Sequence, residues 1–284
     1  MRVTKATAER RAGPTPRRGS LTGTSPLFVN SVAKALAVLN AFGSEHRSMG
    51  LPEIAEVTGI GKSAAQRFAF TLETLGYLRK DPATRRYRLS LRALELGVRF
   101  VQTDDLVDYA TPFLSALNRS SMETVNLWRP DGVEMVCVAR FAGYKEATTH
   151  MPLGMRLPMY CTAVGRAFLS GLSEDRRQRM IEASDLRQFT PSTVTHPASL
   201  LSLIGAAGRD GYATAIDEYY RGDIAIGAPV VDSQGAPIAA INVSVAITRR
   251  KPDEAIAELA PFVIQTARQV SGNPDPRAAR FGPS

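Results

Sequence analysis

The chain has 284 residues, 44% of them hydrophobic, two cysteines and a formal charge of +8, enough to bury a core and to divide into two domains. Cys137 and Cys161 cannot build a disulfide framework, and no apolar run approaches the roughly 18 residues of a membrane span, so a cytoplasmic protein is expected. The charge is one-sided: 17 Lys and Arg stand against 8 Asp and Glu up to residue 104, and 18 against 19 beyond it, so only the N-terminal part is suited to a polyanion.

Residues 1–26 are rich in Arg, Thr, Pro and Gly, lack the apolar stretch of a secretory signal, and read as a disordered basic arm. Ser31 is expected to N-cap a helix in which Val32, Ala35, Leu36, Leu39 and Phe42 share a face and which Gly43 closes. Pro52 then opens a short helix with Leu51, Ile54, Ala55 and Val57 inward, stopping at Gly59. A further helix runs from the turn Gly59-Ile60-Gly61 to Leu75, before Gly76. Ala65, Phe68, Leu72 and Leu75 recur every three or four residues and form its buried stripe, which leaves Lys62, Ser63, Gln66 and Arg67 on the opposite, N-terminal half. Those types suit a recognition helix, because Gln pairs bidentately with adenine, Arg with guanine, and Lys or Ser holds phosphate. Tyr77 to Lys80, the turn Asp81-Pro82-Ala83-Thr84 and the run from Arg85 and Arg86 to Leu89 give a basic hairpin where a wing touches phosphates. Helix, turn, helix and basic hairpin specify a winged helix-turn-helix over residues 27–90; an ordinary solvated hairpin on a small helical domain is the competing reading.

Leu91, Leu94, Val98 and Val101 predict a linker helix over 91–104, whose narrow stripe either pairs with its twin in a dimer or packs on its own domain. Beyond it the pattern is mixed. A helix from Leu106 to Asn118 precedes a hairpin of Thr124 to Trp128 and Val133 to Phe141 about the turn Pro130-Asp131-Gly132. Helices follow near Thr162 to Ser170, Glu174 to Ala183 and Pro197 to Arg209. A second hairpin joins Ile224 to Val231 with Pro237 to Ile247, and a last helix from Pro252 turns Ile256, Leu259, Val263 and Ile264 inward. Helices packed on antiparallel hairpins make an α+β domain over 105–272, followed by a Gly, Pro and Arg tail, 273–284, expected to be disordered.

Chemistry-bearing residues are sparse. His46, His150 and His196 have no second ligand at metal spacing, so neither metal nor cofactor is expected. Cys161 reads as a small pocket-wall residue rather than a nucleophile, since no base is marked near it. Tyr160, Tyr219 and Tyr220 either shape a cavity or fill a core. The rival class is an enzyme, a small hydrolase or transferase with a fused DNA-binding module, but no phosphate-cradling loop, nucleophile elbow or paired carboxylates support it.

Over residues 30–271 the chain resembles the IclR family of bacterial transcriptional regulators. The blocks that carry the resemblance are Ser31-Val32 through Leu39, Leu51 to Ile54-Ala55, Lys62-Ser63, Thr71-Leu72-Glu73 to Gly76-Tyr77-Leu78, Tyr87-Arg88-Leu89 and Leu94-Glu95-Leu96-Gly97. In the second half they are Gly154 to Arg156-Leu157-Pro158, Thr162-Ala163 to Gly165-Arg166-Ala167, Gly211-Tyr212-Ala213, Asp217-Glu218, Gly222, Ala228-Pro229-Val230 and Ala240 to Ser244. The resemblance implies a winged helix that binds an operator as a homodimer, or a dimer of dimers, and a GAF-like domain that binds a small acidic metabolite. It also implies an effector pocket lined by Leu157, Ala163, Val164, Asp217, Asp223, Ala225, Asn242 and Ser244. Ala163-Val164 at a helix start can offer backbone N–H groups to a carboxylate, and Asn242 and Ser244 share one face of a strand. Within the family, Ala65-Gln66-Arg67-Phe68, Thr71-Leu72 and Leu157-Pro158 to Tyr160-Cys161-Thr162 look most like regulators of protocatechuate and hydroxybenzoate catabolism, so a small organic or aromatic acid is the expected effector. Asp223 and Asn242 stand where glyoxylate-sensing members carry an apolar residue and a serine. A carboxylate there repels an anionic ligand unless a hydroxyl, amine or proton intervenes.

Overall fold

The computed structural model describes residues 25–144 and 151–271; the basic arm up to residue 24, His150 and the tail from residue 272 lie outside the described residues. The chain divides into two compact units, Met1–Phe100 and Val101–Ser284.

In the first unit, α1 (Asn30–Asn40), α2 (Leu51–Thr58) and α3 (Lys62–Thr74) precede a hairpin of β1 (Leu78–Lys80) and β2 (Tyr87–Leu89). Gly59 closes α2 at φ 70°, a left-handed conformation in which a side chain would clash with its own backbone. That turn sends α3 across α2 around Val38, Phe42, Met49, Ile54, Ala65, Ala69 and Leu72. Two sequence expectations are corrected here. Val29 is extended and holds the N-cap position, so Ser31 lies inside the first turn of α1 and caps nothing. Leu75 follows α3 as its C-cap and is 50% exposed, while Ala69 takes its place in the stripe. The face read for α1 is divided as well: Val38 is buried with Ala41 and Phe42, whereas Val32 and Leu36 are 55% and 50% exposed. The linker α4 (Arg92–Thr103) has no buried residue, and Leu91, Leu94 and Val98 along it are exposed.

The second unit begins with α5 (Asp105–Ser121), β3 (Thr124–Asp131), β4 (Glu134–Phe141), β5 (Arg156–Pro158), α6 (Ala163–Ser170), α7 (Glu174–Glu182) and α8 (Pro197–Asp210). It ends with β6 (Ala213–Ile216), β7 (Asp223–Val231), β8 (Pro237–Ala246) and α9 (Pro252–Ser271). The strands form one six-stranded antiparallel sheet in the order β5-β4-β3-β8-β7-β6. Alternation along the strands feeds two cores. Ile224, Ile226, Val243 and Val245 pack under α5 and α9, while Trp128, Met135, Ala213 and Ala240 pack under α6 to α8. The two edge strands, β5 and β6, were not expected from the sequence. Each has three or four residues, too few for a period of two to declare itself.

Asp104 anchors the start of this unit. One carboxylate oxygen caps α5 by accepting the Leu106 and Val107 N–H groups at 3.0 and 3.1 Å, and the other accepts from Arg129 at 2.6 Å. Asp104→Ala removes the cap and leaves a half-buried guanidinium unpaired, so a loss of about 1–3 kcal/mol is expected in the urea transition of this unit. A loss under about 0.5 kcal/mol, the range of an ordinary surface change, contradicts this role.

Candidate DNA-reading face and effector cavity

On α3 the side chains of Lys62, Ser63, Gln66 and Arg67 are all exposed. None of them has a side-chain partner among the described residues, so the sequence-predicted reading set emerges together on one open surface. Phe70 emerges on the same helix, 65% exposed.

The wing is built from short-range bonds. Asp81 accepts the Ala83 and Thr84 N–H groups, both at 2.9 Å, chiefly the Thr84 bond holding its carboxyl below the ordinary value. Arg85 completes the turn at φ 58°, left-handed for a residue with a Cβ. Arg86 points the other way. It donates to the Ser48 carbonyl at 2.7 Å and to Glu53 at 3.0 Å, and thereby ties the wing to α2. Its guanidinium is a fastener of the fold first, unlike that of Arg85. Register sets Arg79 directly opposite Arg88, and both are exposed.

The second unit holds a partly open cavity of about 390 Å³, open solvent at its mouth included. Its floor is the α6 side of the sheet, its roof the start of α6. Seven of the eight expected residues line it: Leu157, Ala163, Val164, Asp223, Ala225, Asn242 and Ser244. Asp217 does not. It stands at φ 56° in the turn after β6, where its carboxylate accepts the Gly222 N–H at 2.7 Å and the Ser192 hydroxyl at 3.3 Å. Its neighbour Glu218 faces the cavity instead. Sequence reading missed Trp128 and Met151 in the lining, and it left Tyr219 and Tyr220, which also line it, between cavity and core. Nothing in their spacing could have distinguished them from core aromatics.

Backbone contact fixes the roof. A Cβ at Gly165 would fall 2.2 Å from Met159 Cα, and one at Gly227 would fall 2.9 Å from the Ala163 carbonyl carbon. Thr162 caps α6 by accepting the Gly165 N–H, and the Ala163 and Val164 N–H groups have no acceptor among the described residues. Arg166 then clamps the helix from behind, with two 2.6 Å bonds to Glu218 and further bonds to the Tyr160 and Thr214 carbonyls. Both oxygens of Glu218 are therefore occupied. Cys161 lies in the wall, where burial pushes its thiol up to about 12, so it stays protonated and a weak nucleophile.

Asp223 differs. Desolvation pushes its carboxyl up to about 7, against a smaller lowering by Arg140. The unfolded chain ionises near 3.8, so the folded state binds the extra proton between those values and loses stability as pH rises through that window. Asp223→Asn is therefore expected to raise the melting temperature at about pH 8 and to lose that advantage near about pH 4. A gain independent of pH removes the assignment.

Among the described residues no group of three or more His, Cys, Asp or Glu could hold a metal ion, and no helix is long and apolar enough to cross a membrane. Comparison with known proteins gives the family. The IclR helix-turn-helix domain model matches residues 31–82, and the model of the bacterial transcriptional regulator IclR C-terminal region matches residues 98–272. The HTH-type transcriptional regulator KdgR of Escherichia coli (strain K12) is 30% identical over 246 residues, 87% of this chain and 93% of its own length. A p-hydroxybenzoate hydroxylase transcriptional activator of Acinetobacter baylyi is 32% identical over 248 residues, 86% of this chain and 91% of its own. Among solved structures, a transcriptional regulator from Rhodococcus sp. RHA1 superposes with TM-score 0.77 at 30% identity, covering 86% of this chain and 97% of that one. The chain belongs to the IclR family: it is a DNA-binding transcriptional regulator with a helix-turn-helix unit and a small-molecule effector unit.

Proposed function

We propose that a cytoplasmic homodimer of this chain, alone or as a dimer of dimers, reads its operator with Gln66 and Arg67 while Lys62, Ser63 and Arg85 hold phosphates. The observation that carries this is the wing register. Arg79 opposite Arg88 sets like charges face to face, offset only in part by Asp81 at 3.6 Å from Arg88, an arrangement that costs stability in an isolated hairpin and that a polyphosphate relieves. Arg86 contributes by holding the wing against α2.

Dimerisation is supported by apolar surface left exposed among the described residues of one copy. Leu91 is 86% exposed, Leu94 65% and Val98 43% along the linker, with Val32 and Leu36 bare on α1. The effector on this reading is a small organic acid, in the first instance an aromatic one. Among the described residues no Lys, Arg or His lines the cavity, and the Ala163 and Val164 N–H groups at the positive end of α6 are the groups that receive the carboxylate on this reading. Trp128, Tyr219 and Tyr220 give flat walls, and the name of the Acinetobacter relative points to hydroxybenzoate catabolism. No enzymatic step is assigned, since the cavity thiol is held protonated. Effector binding changes the spacing of the paired reading helices, and linkage then makes operator DNA change effector affinity by the same factor.

Arg67→Ala is expected to cost about 1–3 kcal/mol of operator binding and to relax sequence preference. Arg85→Gly removes the wing charge while freeing a strained φ, so it should weaken all sequences alike and flatten the salt dependence without lowering the melting temperature. A gel-shift salt series that leaves both variants at wild-type affinity overturns these roles. Leu94→Glu should shift sedimentation to the monomer and weaken operator binding at least about tenfold; a dimer that persists places the interface elsewhere. Trp128 is the single tryptophan of the chain and lines the cavity, so its fluorescence should respond to an aromatic acid. Calorimetry with and without operator should then give two different affinities, and identical ones remove the coupling.

A further inference from the structure

We infer that Phe70 is a base-reading residue of α3, its ring packing against the C5-methyl group of a thymine in the major groove, beside the bases that Gln66 and Arg67 read. This adds an apolar contact to the DNA-reading face proposed above, and rests on that proposal.

Position on the helix carries the inference. Phe70 follows Gln66 by four residues and Arg67 by three, the spacing that makes side chains neighbours on one face of a helix. The core lies on the other side, where Ala65, Ala69 and Leu72 are buried. Ser63, Gln66, Arg67, Phe70 and Thr74 are all exposed, and Phe70 keeps 65% of its surface. Among the described residues its ring neither stacks on another ring nor lies under a cation. Thr71 beside it turns its hydroxyl back to donate to the Arg67 carbonyl at 2.9 Å, so one turn beyond Gln66 the face presents a ring.

A lone exposed apolar side chain is ordinary on a protein surface. What distinguishes Phe70 is its company. Its neighbours on the face are polar, and Leu75, the other exposed apolar residue at this end of α3, comes five residues later and so leaves the helix in a different direction. The two form no continuous patch of the kind that covers a protein partner. A single ring among a glutamine, an arginine and two hydroxyls suits a surface that is polar except for isolated methyl groups.

The major groove is such a surface. Guanine presents N7 and O6 there, adenine N7 and its N6 amino group, and cytosine its N4 amino group. A phenyl ring pressed on any of these strips water from a donor or acceptor and returns no hydrogen bond. Thymine adds a methyl group, whose burial is favourable. Helical side chains lean towards the N-terminus, so the ring covers the turn that holds Gln66 and Arg67. Four residues span about 6 Å of helix, less than two base-pair steps of about 3.4 Å. The thymine therefore lies within two base pairs of the base that Gln66 reads.

The experiment takes the duplex that the full-length wild-type protein enriches from a randomised pool and replaces each thymine by uracil in turn, which keeps the pairing and the O4 acceptor and removes only the methyl group. Affinity is read by fluorescence anisotropy. At one thymine in each half-site the replacement should weaken binding about fourfold, the worth of one buried methyl group, and about fifteenfold when made in both half-sites. Bromouracil, whose bromine fills the methyl's place, should restore it. Phe70→Ala should bind the thymine duplex more weakly, with the thymine-to-uracil ratio near one, and should keep the wild-type melting temperature and sedimentation. Equal affinities for thymine and uracil at every position in the wild type overturn the inference, as a ring lying on sugar or phosphate would give. A ratio that survives Phe70→Ala, or a shift of that variant to the monomer, which places the ring between two copies, also overturns it. All three results leave the roles of Gln66 and Arg67 standing. Enrichment of no sequence over random duplex overturns the operator-reading proposal itself, and this inference with it.

Discussion

The effector cavity exists because α6 descends onto the sheet until backbone meets backbone. Glycine at 227 lets the first turn of the helix rest on β7, and glycine at 165 lets the same turn press on Met159. At either position even a methyl group would force the layers apart. Such an approach brings the positive end of the helix to a partly open cavity, where its N–H groups interact more strongly with charge than in bulk water. The Arg166–Glu218 pair fixes the helix in rotation: the guanidinium is spent on four acceptors across the β5–α6 connection, β6 and the turn after it. A single displaced residue in this clamp moves both the N-terminal end of α6 and the Glu218 wall together.

Buried charge elsewhere in this unit follows one rule. Asp104, Glu123 and Glu218 each face an arginine, respectively Arg129, Arg249 and Arg166. Pairs of this kind add little net stability against an apolar core but are costly to break. Asp223 departs from the rule, since the nearby guanidinium of Arg140 is directed at Asn126 and the carboxyl is left desolvated. A group held in that state inside a cavity costs the fold something and marks a candidate functional position.

The periodic elements were legible in the sequence. Gly59 and Gly61 marked the turn between α2 and α3, and the hairpins on either side of Gly132 and Gly235 announced the centre of the large sheet. Residues whose roles depend on long-range partners were not. Arg86 looked like any other wing cation until Ser48 and Glu53, more than thirty positions earlier, were placed beside it. Asp217 and Glu218 are adjacent, yet the left-handed backbone at Asp217 turns one into the turn and the other toward the cavity, a choice invisible to spacing. The stripe of α1 was read as core throughout because an exposed apolar face and a buried one have the same period. Seven of the eight pocket positions carried over by family resemblance do line the cavity. The aromatic walls came from parts of the chain that resemblance had not marked.

On the proposed reading, the lack of a lysine or arginine among the described residues that line the cavity bears on how such a regulator works. Binding an acid with a formal cation gives high affinity but little dependence on the rest of the ligand, since charge attracts every anion of the right size. Helix N–H groups provide a weaker, directional attraction, and discrimination then passes to the far end, where polar groups must be matched or left unsatisfied. Weak anchoring has a second consequence. A ligand shifts an equilibrium only by its difference in affinity for the two states, so a site whose contacts come from both α6 and the β7–β8 floor is sensitive to any small change in their separation. The energy that distinguishes one acid from another is then the same energy that distinguishes one conformation from another, and specificity and response are set by a single gap between a helix end and a strand.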